Sequence, residues 1–178
     1  MKFYFKRYNL VFAFFFLLIA FSSTIAQEET NEKTFGISAL IQDSQFDIML
    51  PLVISNSAVI APALGIAYVS DAGTDIGLGI VGRIYLKDDV VRPFLGGRFG
   101  LLLFSPKESG SGQGESKNTN DYLLGILAGG EYFFNEGFSI GVEAQLNATF
   151  SDKNSGRFGN PDGTNLNTGA AVFATIYF

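Results

Sequence analysis

The sequence has no cysteine, no histidine and no tryptophan among its 178 residues. Without cysteine the chain has no disulfide and no thiolate nucleophile, so its stability must come from packing or from a membrane. Without histidine, a His-based catalytic triad and the usual zinc sites are excluded. We therefore expect a protein that is not an enzyme and that binds no cofactor or metal.

Charge is also scarce, at 16% of residues against about 25% in ordinary soluble domains. Of the 12 basic residues three lie before residue 27, and none of the 17 acidic residues does, so the rest of the chain has nine basic residues against 17 acidic ones, a net charge of −8. Binding to nucleic acid needs clustered Lys and Arg that neutralise phosphates. No nucleic-acid partner is expected.

The first 26 residues have the three-part organisation of a secretory signal peptide. Three basic residues (Lys2, Lys6 and Arg7) precede an apolar run at 10–21, and a small polar stretch ends at Ala26. The run is shorter than the roughly 20 residues of a spanning helix, although an uncleaved anchor is the alternative. We predict a signal peptide at 1–26, an acidic periplasmic leader at 27–34 and one barrel domain at 35–178.

After the signal peptide, long apolar runs are absent and alternation takes their place. Between Phe138 and Ser151 every second residue is apolar, and the residues between them are polar or glycine. A period of two indicates a strand with one apolar face, and its length suits the 9–11 residues that cross a bilayer better than the usual 5–6. The same pattern predicts eight strands, at about 35–42, 46–54, 58–69, 75–87, 90–104, 121–134, 138–150 and 168–178.

The lengths of the connections indicate the topology. Connections two, four and six are short (55–57, 88–89 and 135–137), whereas the fifth (105–120) and the seventh (151–167) are long. Short turns on one side, longer loops on the other and an even strand count are typical of outer-membrane barrels. We predict an all-β protein: an eight-stranded antiparallel up-and-down transmembrane β-barrel in the bacterial outer membrane.

Three segments carry a family resemblance. The last strand, with apolar residues alternating from Ala170 to the final Phe178, resembles the assembly signal of bacterial outer-membrane proteins. The stretch GGEYFFNEGFSIGVE at 129–143 resembles the penultimate hairpin of small outer-membrane β-barrel domain proteins of the Bacteroidetes type, an OmpA-like or porin-like group, and RPFLGG at 92–97 is similar to a strand start in that group. The resemblance implies outer-membrane lipid as a partner, and the barrel-assembly machinery through the strand ending in Phe178. It implies no activity.

If the apolar faces contact lipid, the polar faces line the lumen. The predicted luminal charge network consists of Asp47, Asp75, Arg83, Arg92, Arg98, Glu131 and Glu143. Buried charges must be paired or hydrated, and an eight-stranded barrel holds little beyond side chains, so we expect a network that plugs the lumen. A narrow ion path is the alternative. Aromatic residues predicted at the two membrane interfaces are Tyr68, Tyr122, Tyr132, Phe134, Phe138, Phe150 and Phe178.

Three functions remain open at this point. The first is a structural or surface-interaction role through the two long external loops, whose partner is unknown. The second is a narrow porin-like channel or transporter for ions or small solutes, and the third is a soluble lipocalin-like binder of an apolar ligand. The letters GLGIVG at 77–82 match a dinucleotide fingerprint, but the chain continues there as a strand. The Asp and Asn residues of 151–167 could hold a weak calcium ion, although turn chemistry explains them better.

Overall fold

The computed structural model describes residues 33–42, 45–69, 73–106 and 117–178. The predicted signal peptide and all but the last two residues of the predicted leader lie outside this part of the chain. The strands are β1 (Gly36–Gln42), β2 (Gln45–Met49), β3 (Leu52–Ser55), β4 (Ala58–Val69), β5 (Gly73–Tyr85), β6 (Val91–Pro106), β7 (Thr119–Asn135), β8 (Phe138–Phe150) and β9 (Thr164–Tyr177). No helix in the described ranges is long and apolar enough to cross a membrane.

The strands form one closed antiparallel sheet. From β4 to β9 each strand pairs with the next in the chain, and β9 returns to β1, from Gly36 opposite Tyr177 to Ile41 opposite Val172. β2 and β3 together fill the position between β1 and β4. The predicted eight-stranded up-and-down barrel is therefore confirmed, with nine segments forming eight barrel strands.

Proline explains the extra segment. We predicted a single strand at 46–54, but it is interrupted at Leu50–Pro51. β2 and β3 nevertheless keep one register against β4, with Met49 opposite Ala63 and Leu52 opposite Ile60. Pro51 has no N–H to give to the ladder, although its carbonyl accepts from the Gly36 N–H at 2.8 Å. The interruption is a loss of ladder bonds and not a change of path.

The strands are strongly staggered around the barrel. Following paired residues from Ser38 through β2, β4, β5, β6, β7 and β8 leads to Asn165 on β9, whereas Ser38 itself pairs with Thr175, ten residues further along. A stagger of this size over eight strands corresponds to a tilt of roughly 40° and a backbone radius of about 8 Å. The lumen is therefore only wide enough for side chains and small cavities.

Several strands run further than predicted toward one end of the barrel. We call this the loop end; it holds the odd-numbered connections, including loop 7 (residues 151–163), while the turn end holds the connections at 56–57, 86–90 and 136–137. β9 begins at Thr164, not at 168, and β7 at Thr119, not at 121. The added residues pair normally but are mostly polar, because a strand that leaves the apolar band loses its apolar face. Hydrophobic alternation therefore could not reveal them.

Candidate functional site: the charged interior

Near the turn end, a fully buried carboxylate is surrounded by hydroxyl groups. Glu131, on the inward face of β7, is 0% exposed. Its Oε1 accepts from the Tyr177 hydroxyl at 3.0 Å and from the Ser139 hydroxyl, and its Oε2 accepts from the Tyr85 hydroxyl. The charge is therefore held by three donors from three different strands and has no basic partner among the described residues.

Above this cluster, toward the loop end, an ion pair crosses the lumen. Arg83 Nη2 on β5 contacts Glu143 Oε2 on β8 at 2.8 Å, and both side chains are at most 2% exposed. The guanidinium also lies 4.0 Å from the ring centre of Phe173 and 5.0 Å from that of Phe94. A cation stacked on aromatic rings and paired with a carboxylate fills the cross-section at this level.

Amide side chains continue the network. Glu143 Oε1 accepts from Gln145 Nε2 at 2.6 Å, and Gln145 Oε1 accepts from Asn147 Nδ2 at 3.2 Å and from Arg98. The three residues 143, 145 and 147 are successive inward positions of β8, which is why the contacts climb the strand step by step. Arg98 is not in an ion pair with any described residue.

At the loop end, Arg157 of loop 7 connects two strands across the lumen. Its guanidinium makes a two-point contact with Asp75 on β5, with Nη2 to Oδ1 at 2.9 Å, and its Nε lies 3.0 Å from Asp121 Oδ2 on β7. Asp121 also accepts from the Ser155 hydroxyl and the Asp152 N–H, both at 2.8 Å. Burial alone would lower the pKa of Arg157, but the hydrogen bonds and charges of the two carboxylates outweigh it and raise that pKa. We call Arg157, Asp75 and Asp121 the latch.

Between Arg98 and the latch, the lumen contains a cavity of about 330 Å³. We call it the chamber. Polar groups on its lining include Gln42, Asp47, Asn147 and Asn167. Four glycines on β4, β5 and β6 also line it: Gly65, Gly77, Gly79 and Gly100. The interior is therefore filled in its turn half and hollow in its loop half.

Six of the seven predicted luminal charges face this interior, and they fall into separate groups. Arg83 and Glu143 form the central pair, Glu131 lies nearer the turn end, and Asp47 and Arg98 line the chamber. Asp75 belongs to the latch. Arg92 differs from its predicted place: it lies at the rim of the turn end, paired with the exposed Asp88 at 2.8 Å and placed 4.4 Å over the Phe133 ring. A charge so near a strand end reaches water and needs no buried partner.

The sequence analysis missed Arg157 and Asp121 as members of the network. Asp121 is fully buried and falls on the inward face of β7, so the alternation of that strand could have predicted it as a luminal residue. Arg157 carries no such signal, because nothing in a loop sequence tells where its side chain folds. The hydroxyl donors of Glu131 were equally hidden, since Tyr85, Ser139 and Tyr177 come from three separate strands.

The outer surface is apolar, whereas the interior combines the charged and amide network with a buried apolar cluster that includes Leu40, Met49, Phe94 and Phe173. No Asp, Glu, Lys or Arg occupies an outward position on any described strand, and large apolar side chains there are widely exposed, among them Ile66, Ile126, Leu124 and Val142. Tyr122 and Phe134, 12 residues apart on β7, are both exposed. At the rise and tilt given above they are separated by about 30 Å along the barrel axis.

Aromatic side chains gather at the two edges of this surface. At the turn end, Phe134 stacks on Phe138 with ring centres 5.4 Å apart and meets Tyr132 at 4.8 Å, and Phe178 stacks on Phe35 at 5.3 Å. At the other edge Tyr122 pairs with Phe150 across β7 and β8. Of the predicted interface aromatics only the Tyr68 side chain lies outside the described part.

Comparison with solved structures identifies the class of fold. The N-terminal β-barrel domain of Pseudomonas aeruginosa OprF has a TM-score of 0.55 at 16% identity, over 83% of this chain and 98% of that chain. Neisserial surface protein A (NspA) has a TM-score of 0.54 at 16% identity, over 81% of this chain and 93% of that one. The chain is an eight-stranded antiparallel barrel of the kind found in bacterial outer membranes, and at this identity the likeness concerns the fold alone.

The sequence itself has no such match. No known family and no curated protein matches it significantly. The resemblance to the Bacteroidetes type therefore stays a prediction.

Proposed function

We propose that the chain is an integral protein of the bacterial outer membrane, in which the barrel has a structural or surface-interaction role and its charged interior closes the lumen. The observation that carries the proposal is the outward surface, which presents exposed apolar side chains over about 30 Å along the barrel axis. No outward position of a described strand holds a charged residue. Apolar outward faces of about this height, bordered by aromatic residues, are what lipid-embedded barrels present.

The same observation argues against the soluble alternative. A lipocalin-like barrel buries apolar residues in its interior to hold an apolar ligand and exposes polar ones. Here the outside is apolar, with Ile126 65% exposed, and the interior buries Glu131, Glu143 and Gln145 beside its apolar cluster. Exposing so many contiguous apolar side chains to water would promote aggregation.

The first experiment measures gel mobility of residues 27–178 refolded in detergent, with and without boiling. We expect the unboiled protein to resist SDS and to migrate differently from the boiled one. A pair of variants sharpens the test: Ile126→Arg near the middle of the outward face of β7, and Tyr122→Arg at its edge. In lipid, arginine costs about 2–4 kcal/mol near the midplane and about 0–1 kcal/mol at the interface, so only Ile126→Arg should impair folding into vesicles.

A soluble barrel gives the opposite result. Arginine at an exposed position would then be tolerated equally at 122 and 126, and the mature chain would stay in solution without detergent. Equal tolerance, or a mobility that does not change on boiling, would overturn the membrane proposal.

The closed lumen is a separate part of the proposal, supported by the contacts of Glu131, Arg83 and Glu143 across the turn half. We expect the refolded protein to give no steady conductance in planar bilayers. The chamber of about 330 Å³ favours a second candidate, a narrow path for ions or small solutes. Steady conductance that changes when Arg83 and Glu143 are both replaced by alanine would support that path and contradict closure.

For the surroundings of the barrel we propose outer-membrane lipid on the outward face and the barrel-assembly machinery as the partner that receives the last strand. Phe178 closes the apolar face of that strand and stacks on Phe35. Phe178→Ser should lower the amount of protein in the outer-membrane fraction, whereas Phe158→Ser in loop 7 should not. Unchanged assembly of Phe178→Ser would refute this role. Any surface partner would meet the loop end, and no catalytic role is assigned.

A further inference from the structure

Four glycines on three adjacent strands make room for the chamber. Gly65 on β4 is paired with Gly77 on β5, and Gly79 on β5 is paired with Gly100 on β6, so the four lie together; we call them the wall glycines. The Asp47 carboxylate lies over Gly65. At about 330 Å³ the cavity has the size of the smaller ligand pockets of proteins, whose usual range is about 300–1,000 Å³. Side chains at these positions would fill it, as they do in the turn half.

The chamber is lined by four charged residues, and their pairing is unequal. Asp75 and Arg157 neutralise each other in the latch. Asp47 and Arg98 also line the cavity, but neither is in an ion pair with a described residue. Arg98 donates one hydrogen bond to Gln145, which leaves most of its five N–H groups for other acceptors. The cavity thus has one anion and one cation that lie close enough to attract each other but are not joined in an ion pair.

Amide groups lie beside these charges. Gln42, Asn147 and Asn167 line the chamber together with Asp47 and Arg98. The unpaired Oδ1 of Asn147 is buried against Gly125 on β7 and does not face the cavity. The groups that can meet a ligand are therefore the remaining N–H groups of Arg98, the Asp47 carboxylate and the amides of the lining.

From this arrangement we infer that the chamber is a binding site for a small zwitterionic solute of the amino-acid class, whose carboxylate contacts Arg98 and whose ammonium group contacts Asp47. Arginine matches the planar carboxylate, and the carboxylate of Asp47 accepts from an ammonium group. The lining carries no net formal charge, which suits a solute that is neutral overall. The site goes beyond the proposed closed barrel and requires only the barrel fold.

Loop 7 supplies the way in. Arg157 and Phe158 line the chamber from the loop end, so a solute arriving from outside meets the latch first. The turn half below Arg98 is filled by the Arg83–Glu143 pair, so the solute would be held and not passed on.

The test uses the detergent-refolded barrel and follows the amide NMR signals of the wall glycines. The probes are L-alanine and 4-aminobutanoate, two zwitterions with different charge separations, at up to roughly 100 mM, which saturates even a millimolar site. Acetate and methylammonium, each with one half of the charge pattern, are the controls. We expect saturable shifts with at least one zwitterion and no saturation with either half.

Three variants connect binding to the chamber. Arg98→Gln and Asp47→Asn should each weaken zwitterion binding at least tenfold. Gly77→Leu should abolish it by filling the cavity, since a Cβ at Gly77 comes no closer than 3.7 Å to any neighbour. Gly82→Leu, on the outward face of the same strand with nothing within 4 Å of its Cβ, is the matched control and should bind normally.

The outcomes separate the two proposals. Folded protein that shows no saturable shift with either zwitterion, or binding that Arg98→Gln and Asp47→Asn leave unchanged, would overturn the site while the membrane barrel stands. If Gly77→Leu does not fold, the two charge variants still decide the question. Saturation by acetate or methylammonium equal to that by the zwitterions would also overturn it, because one charge alone would then explain the binding.

Discussion

Glu143 occupies the most demanding position in the interior, because its two carboxylate oxygens have different donors. Oε2 receives Arg83 at 2.8 Å and Oε1 receives Gln145 at 2.6 Å. Glutamine at this position has the same shape but only one acceptor oxygen. In Glu143→Gln, either Arg83 or Gln145 must face an NH₂ group, and Arg83 loses its counter-charge while it stays 2% exposed.

The expected loss of stability in Glu143→Gln depends on which contacts Arg83 keeps. Removing one partner of a buried ion pair costs about 3–5 kcal/mol, chiefly because the other charge stays buried. Arg83 keeps its contacts with the rings of Phe94 and Phe173, and one amide hydrogen bond can survive. We therefore expect the lower end of that range, a loss of about 3 kcal/mol in the free energy of unfolding.

The assay is reversible urea unfolding of the barrel in lipid vesicles. Two controls accompany Glu143→Gln. The double variant Arg83→Met/Glu143→Leu removes both charges and should lie closer to the wild type than the single variant does, because no buried charge is left alone. Asp89→Asn breaks the exposed pair with Lys87, and a much smaller loss than that of Glu143→Gln is expected.

A loss below about 1 kcal/mol for Glu143→Gln would refute this reasoning, because the site would then be hydrated well enough to tolerate an unpaired arginine. A double variant as unstable as the single one would refute it differently. The residues would then act through their shape and not through their charge.

Three further predictions concern other parts of the barrel. Arg157→Gln should release loop 7 and make residues 151–163 cleavable by an added protease, whereas the exposed Lys153→Gln should leave them resistant; equal cleavage would contradict the latch. Gly141→Ala should destabilise the barrel by about 1–3 kcal/mol in urea unfolding, because the new Cβ would lie 2.2 Å from the Phe173 ring, while Gly130→Ala, with nothing within 4 Å, should have little effect. The hydrogen bond from Lys87, then that from the Val90 N–H, hold the pKa of Asp89 below its usual value of 3.8; the stabilisation of this turn is therefore present above about pH 4 and is lost as the pH falls through the lowered pKa. An NMR titration of Asp89 with a midpoint at or above 3.8 would contradict this.

Much of the fold was predictable because an up-and-down barrel of this kind repeats one simple rule. Each strand presents every second residue to the apolar outer surface, so alternation at 138–150 predicted that strand at its observed bounds. The rule fails where the apolar band ends, which is why the polar start of β9 was missed. Alternation of apolar residues also carries no information about lost hydrogen bonds. It therefore did not predict that the strand is interrupted at Pro51.

The sequence predicts which charged residues face the interior, but it does not predict which of them contact each other. Inward parity selected Arg83, Glu131 and Glu143 as luminal positions, because they alternate with the apolar residues of the outward face. Which charges pair depends on the stagger between strands, and a stagger of ten residues brings together residues far apart in sequence, such as Arg83 and Glu143. Arg157 depends on the path of a loop and could not be derived in this way.

Pro51, between β2 and β3, and Pro62, in β4, weaken the hydrogen-bond ladders of the barrel. In an antiparallel ladder the residues of a hydrogen-bonded pair exchange two bonds, yet Gly36 with Pro51 and Leu50 with Pro62 each make one, at 2.8 and 2.9 Å. The carbonyls of Gly36 and Leu50 thus face prolines that cannot donate. A barrel pulled apart by force or by denaturant should part first between β1 and the β2–β3 strand, starting at the turn end, so that β1 comes away with β9 still attached and the sheet opens into a ribbon.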